Sequence, residues 1–219
     1  MEEKMLVTQA LDERDFLIKK ITDKISAFKA VDYAKHNESK TWECKKDRKE
    51  YEEETKATFQ QITDLIKRYD KIEAAIVASN AITHIQTSYG EYTVAAAIAL
   101  KNRLGKTADQ FKNAFEVHLI RKMQHDFNQV LIEINDKNSI LEETAENMRL
   151  SILGKETKGK DERTLDVVES YVNENKAELV NPLDILQKIE ELRQKRMQLQ
   201  KELETQIKVS NATTFITIS

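Results

Sequence analysis

Apolar residues recur every three or four positions along most of this chain, and very little interrupts them. Leu6, Ala10, Leu11, Leu17, Ile18, Ile21, Ile25 and Phe28 mark one face, and Phe59, Ile62, Leu65, Ile66, Tyr69, Ile72 and Ile76 mark a second. A third runs through Phe111, Phe115, Leu119, Met123, Phe127, Leu131 and Ile134, then on through Ile140, Leu141, Ala145, Met148 and Ile152. This is the 3.6-residue period of helices that bury one side. The runs stay unbroken because 219 residues contain only four Gly and one Pro, where an average chain carries about 12% of the two together. Sandwiches, barrels and Rossmann-type sheets need those residues at their corners, so the sequence argues against all three.

The pattern divides the chain into elements of a single elongated domain, 1–219. A helix is predicted over 1–31, followed by a polar link at 32–41 and a second helix over 41–79. Residues 40–56 hold six cations and six anions, which is a solvated helix face and not a basic patch. At Asn80 the period drops to two: Ile82, His84 and Gln86 alternate with Thr83, Ile85 and Thr87. With a turn at Ser88-Tyr89-Gly90-Glu91, this predicts a hairpin over 80–94. Thr93 is placed to cap a long helix over 94–153, which can break at 105–107, where Gly105 and Thr107 sit. Residues 154–163 read as a loop. Leu165, Val168, Tyr171 and Val172 read as a short helix, and Ala177 to Val180 as a brief strand. Asn181 and Pro182 open a last helix over 182–209, and 212–218 is a β-prone tail. In the last helix, Ile185, Ile189, Leu192, Leu199 and Leu203 follow the 4-3 spacing of a coiled-coil seam, with Arg196 and Gln206 at its polar places.

Two stretches match at an offset of 131. Residues 76–85 read IVASNAITHI and residues 207–216 read IKVSNATTFI, identical at six of ten positions. Both lie where a helical pattern gives way to a strand-like one. Asn tolerates the left-handed conformation that ends helices, so Asn80 with Thr83 and Asn211 with Thr214 read as two like helix ends leading into strands that share one small sheet with the hairpin. A duplicated Asn/Thr ligand site is the functional alternative.

These residues resemble the septicolysin-like family, small bacterial helical proteins in which a helix ends Ile-x-x-x-Asn with Thr soon after. The matching positions are Ile76, Asn80 and Thr83; Gly90 and Thr93 in the hairpin; Pro182 and Asp184 before the last helix; and Ile207, Asn211 and Thr214. Ala212 stands where that family tends to place Trp, and this chain is longer in 1–56 and around 105–175. The resemblance implies a helical bundle with a small sheet and carries no assigned catalytic residues. The family name implies a cytolysin, an activity to which no feature of this sequence points.

Other chemistry is sparse. Residues 154–160, GKETKGK, have phosphate-loop spacing, but Asp161 replaces the Ser or Thr that would hold Mg²⁺, and a helix precedes the motif in place of a strand. Gly105-Lys106-Thr107 lacks the first glycine of that motif. His118 and His125 lie two helical turns apart, about 10 Å, too far to share one zinc ion. His84 reads equally as a packing residue or a base. Cys44 sits among Lys45, Lys46 and Arg48, which favours its thiolate, and as the only cysteine it forms no internal disulfide. Trp42, Tyr89 and Tyr92 are the aromatics expected at the surface, Tyr89 and Tyr92 at a hairpin tip suited to partner contact.

A net charge of −3 gives no drive toward nucleic acid. The longest apolar run, 94–100, is far short of the roughly 20 residues of a membrane span. The N-terminus is acidic and has no apolar core, so no secretory signal is expected and the cytoplasm is the expected location. The expectation is a mainly α protein: an elongated antiparallel helical bundle or coiled coil with a small β-hairpin or sheet at one end. It needs no cofactor, is not an enzyme, and serves as a self-associating scaffold or protein-interaction module. Its oligomer contacts are expected along 108–153 and the 185–206 seam. The alternatives are a phage structural or host-interaction protein, a small-molecule-binding protein or enzyme using the Asn80/Asn211 end, and a membrane-active, cytolysin-like protein.

Overall fold

The computed structural model describes residues 3–107, 112–153 and 162–218, without the side chains of 153 and 162–165. The chain is mainly helical and carries two small antiparallel sheets. Its order is β1 (Glu3–Leu6), α1 (Val7–Ala27), α2 (Arg48–Ile82), β2 (His84–Thr87), β3 (Gly90–Thr93), α3 (Val94–Leu104), α4 (Phe115–Leu153), α5 (Glu162–Asn175), α6 (Ile185–Thr213) and β4 (Phe215–Ile218). These elements group into two compact units, Met1–Asn102 with Leu199–Ser219, and Arg103–Gln198, where the sequence reading treats the chain as one domain.

In the first unit, α1, α2, β1 and β4 share a core of Met5, Val7, Ala10, Leu17, Ile72, Ile76, Ile216 and Ile218. Val7, Ala10 and Leu17 fall on one helix face by their spacing, and strand alternation buries Ile216 and Ile218 while leaving Phe215 and Thr217 outside. Arg68 of α2 bridges Glu13 of α1 at 2.8 Å and Glu3 of β1 at 2.7 Å.

Two expectations are corrected here. The predicted N-terminal helix over 1–31 is a strand at Glu3–Leu6 and a helix only from Val7 to Ala27. The last strand does not join the hairpin; β4 pairs with β1, from Glu3↔Ile218 to Leu6↔Phe215. The cause is the same in both. A four-residue strand carries little periodicity of its own, and the partner that gives β1 its ladder lies at the far end of the sequence.

The hairpin forms with β2 and β3 paired from His84↔Thr93 to Thr87↔Gly90. Gly90 takes φ 135°, a backbone state that side chains rarely allow. The Ser88 N–H and Oγ–H both donate to the Glu202 carboxylate of α6, at 2.9 and 2.7 Å. The helix ends also differ from expectation. Asn80 and Asn211 lie inside α2 and α6 and neither is left-handed. Instead Thr83 N–H closes on Ser79 O and Thr214 N–H on Ser210 O, both at 2.9 Å, with Thr83 already extended.

The link between α1 and α2 runs to 47, so α2 begins at Arg48 and not at Thr41 as predicted; the Asp47 side chain caps it by accepting from Lys49 N–H at 3.0 Å. The link is organised by Asp32, whose carboxylate accepts the backbone N–H groups of Tyr33, Glu43 and Cys44. Tyr33 stacks on Trp42 with ring centroids 5.9 Å apart.

The predicted 94–153 helix is two helices, α3 belonging mostly to the first unit and α4 to the second. α3 ends at Leu104, Gly105 turns, and α4 starts only at Phe115. Arg196 donates to the Leu104 and Lys106 carbonyls at the broken end, at 2.8 and 3.3 Å. α4 packs on α5, which confirms the short helix read from Leu165 to Val172. The brief strand expected at 177–180 is absent, because Asn138 of α4 binds both the N–H and the C=O of Ala177 through its side-chain amide, at 2.8 and 3.1 Å. Asn181 does cap α6, accepting Ile185 N–H at 3.0 Å. Pro182 lies in the turn before the helix, and Asp184 is left-handed at φ 46°. The loop expected at 154–163, including GKETKGK, lies outside the described residues except for its last two, which already belong to α5.

Candidate functional site

An exposed apolar surface among the described residues lies on α4. At 100° per residue, its buried side chains Ile120, Leu141 and Ala145 share one sector, the side packed within its unit. Beside that sector lies a second apolar stripe that stays partly exposed among the described residues, with Arg103 over the Phe115 ring at 5.7 Å. Phe115, Leu119, Val130, Ile140 and Met148 fall within an arc of about 80° and are 60, 50, 39, 63 and 36% exposed. The helix therefore has an apolar face roughly twice as wide as its own unit fills. The stripe is punctuated by charge. Lys122 and Asp126 form an i,i+4 pair at 2.5 Å between Leu119 and Val130, and Glu133 and Lys137 occupy the same arc between Val130 and Ile140. Mixed apolar and paired charged positions along one helix suit a helix partner whose register the charges fix.

The residues of the expected oligomer seam on α6 are mostly covered. Ile189, Leu199 and Leu203 are buried and Ile185 and Leu192 half-buried, so the chain itself covers that seam. Tyr89 is at the hairpin turn and just exposed, while Tyr92 is half-buried. Asn80, Thr83, Asn211 and Thr214 are half-buried at the two helix ends, where the structure brings Thr83 and Thr214 into equivalent roles. The α4 stripe itself was partly visible in sequence, since Phe115, Leu119, Ile140 and Met148 were on the predicted face. Which half of that face would stay bare was not visible.

Cys44 runs against its sequence reading. Burial raises its thiol first, the neighbouring Asp32 carboxylate adds to this, and Lys29 and Lys46 do not overcome the pair. Those lysines are engaged by Glu43 and Glu54. Asp32 is shifted the other way. Partial desolvation would raise its carboxyl, but the N–H groups of Cys44 and Tyr33 outweigh that and hold it below the ordinary range. The surrounding link shows Trp42 with Lys45 and Lys35 over its ring, at 4.5 and 5.4 Å.

Among the described residues no three His, Cys, Asp or Glu side chains gather as a metal site. His84, His118 and His125 are all exposed. No helix among the described residues is long and apolar enough to cross a membrane. No family model matches the chain, and no curated protein and no solved structure matches it.

Proposed function

We propose that this is a non-enzymatic helical protein that works by associating with a second copy of itself through α4. The supporting observation is the bare stripe of Phe115, Leu119, Val130, Ile140 and Met148. Covering a side chain of this size fully is worth about 1.5–3 kcal/mol, so covering the exposed fraction is worth about 1 kcal/mol each. Two copies together gain on the order of 10 kcal/mol, against an association cost of about 4–15 kcal/mol. That balance describes a reversible dimer and not a permanent one.

An antiparallel pairing suits the residue order. Centred between Leu131 and Ile132, it sets Phe115 against Met148, Met123 against Ile140 and Asp126 against Lys137, each contact made twice by symmetry. The resemblance to septicolysin-like proteins concerns the helix ends and hairpin and leaves α4 free for this role. The test is a double charge substitution, Leu119→Lys with Ile140→Lys, in sedimentation velocity. The wild-type boundary is expected to move faster as concentration rises, and the variant to sediment as a monomer with unchanged far-UV circular dichroism. A variant that associates as the wild type does would refute the assignment to this stripe.

A further inference from the structure

Beyond self-association through α4, the fold contains a second, internal partnership. The order β1-α1-α2-β2 is followed by β3-α3-α4-α5-α6-β4, and the two series correspond residue by residue. In their first parts the offset is 87: buried Val7, Ala10 and Leu17 of α1 match buried Val94, Ala97 and Leu104 of α3. In their last parts it is 131: buried Ile72, Ile76 and Ser79 of α2 match buried Leu203, Ile207 and Ser210 of α6, and Ile85 and Thr87 match Ile216 and Ile218. The difference makes the second series 44 residues longer, and the excess falls between Leu104 and Leu203, the stretch that also holds α4 and α5.

The sheets obey the same relation. Each pairs the first strand of one series with the last strand of the other, and the registers superpose. Leu6↔Phe215 corresponds to Thr93↔His84, and Met5↔Ile216 to Tyr92↔Ile85. Even the hydrogen bond that follows each ladder is repeated, Val7 N–H to Thr214 O at 3.0 Å and Val94 N–H to Thr83 O at 2.8 Å. The helices cross over too. α2 runs into β2 but packs its Ile72 and Ile76 on β1, β4 and α1. α6 runs into β4, yet Glu202 binds the β2–β3 turn and Arg196 binds the end of α3.

We infer that the chain is two copies of one β-α-α-β unit, and that each copy's outer strands and long second helix form a docking surface whose partner is another such unit. The fused chain satisfies this surface internally, as a two-fold dimer would between separate molecules. Eight shared burial positions at two constant offsets, one pairing register used twice and one crossover used twice are not expected of a chain with a single origin for each element. The two sheets differ in the two-residue turn Ser88-Tyr89, which joins β2 to β3. β1 and β4 make the same sheet without it.

The test exchanges the two sheets. In a full-length Cys44→Ser circular permutant, Ser219 is joined to Met1 and the chain is opened between Ser88 and Tyr89. Two cysteine pairs, Leu6→Cys with Phe215→Cys and His84→Cys with Thr93→Cys, are placed one at a time in both the natural and the permuted order. These are facing, non-hydrogen-bonded positions, where side chains approach closely enough to bridge. The permutant is expected to match the natural order in helical circular dichroism and within a few degrees in Tm, and both pairs are expected to oxidise within one chain in both orders. Failure of the permutant to fold, or oxidation of the 84–93 pair without the 6–215 pair in the natural order, would overturn the equivalence. Loss of association in the α4 variant would leave this result untouched, so the two readings fail separately.

Discussion

At the scale of single residues, the link 28–47 shows most clearly how a side chain decides structure. Asp32 holds three backbone N–H groups and thereby seats Trp42 against Tyr33. Its carboxyl is lowered from an ordinary value of 3.8, so the folded link favours the charged form. The sign follows from linkage: the contribution is complete above 3.8 and is lost as pH falls through the lowered value in the folded link. Trp42 is the only tryptophan, so its emission reads this link alone. The emission is expected to stay constant on acidification until below the ordinary carboxylate range and then to shift red. In Asp32→Asn it is expected to be red-shifted already at neutral pH, and an unshifted spectrum would show that the carboxylate is not the organiser. The same carboxylate explains why Cys44 was misread. Local sequence showed its lysine and arginine neighbours but not Asp32, twelve residues away and brought to its side by the turn. Alkylation of Cys44 at neutral pH is expected to be slower than that of an ordinary thiol and faster in Asp32→Asn; equal rates would contradict the raised thiol.

At the scale of elements, helices were legible and strands at a distance were not. The faces of α1, α2, α4 and α6 are written in the 3–4 spacing of their own residues, and the β2–β3 hairpin in a local change of period closed by Gly90. β1 was hidden because Glu3–Leu6 is too short to show a period and takes its structure from β4 at the other end of the chain. The Asn80 and Asn211 matches were read as helix stops. The helices run on by two residues past each, because Ser79 and Ser210 carbonyls still find the N–H groups of Thr83 and Thr214. The motif was therefore a true sign of equivalence with a different physical cause. Equivalence makes a quantitative expectation at this scale. Ile72 and Leu203 occupy matching positions and both are completely buried, so Ile72→Ala and Leu203→Ala should each cost about 2–5 kcal/mol and agree within about 1 kcal/mol. Urea unfolding of both variants checks this. A near-neutral Leu203→Ala beside a costly Ile72→Ala would mean that the second copy of the repeat does not depend on its long helix as the first does.

At the scale of the whole molecule, the inferred repeat, β1-α1-α2-β2 and β3-α3-α6-β4, is elaborated only in its second copy. The longer stretch between Leu104 and Leu203 holds α4 and α5, and α4 carries an exposed apolar stripe beside its buried one. Duplication satisfies the strand-pairing surfaces inside the chain, and the exposed stripe on α4 is the surface proposed to meet a second copy. The candidate site was legible from sequence as a helix face but not as a surface. Ile120, Leu141 and Ala145 are buried while Leu119 and Ile140 are exposed, and the spacing along α4 does not encode which part of its apolar face finds neighbours. The most direct measurement is the light-scattering mass of the unmodified protein over a wide range of concentration. The expected result is a reversible rise from 25.4 kDa toward twice that value, with half-association in the micromolar range. A mass that stays at 25.4 kDa at every concentration would contradict the central claim that the α4 stripe exists to be covered by a second copy.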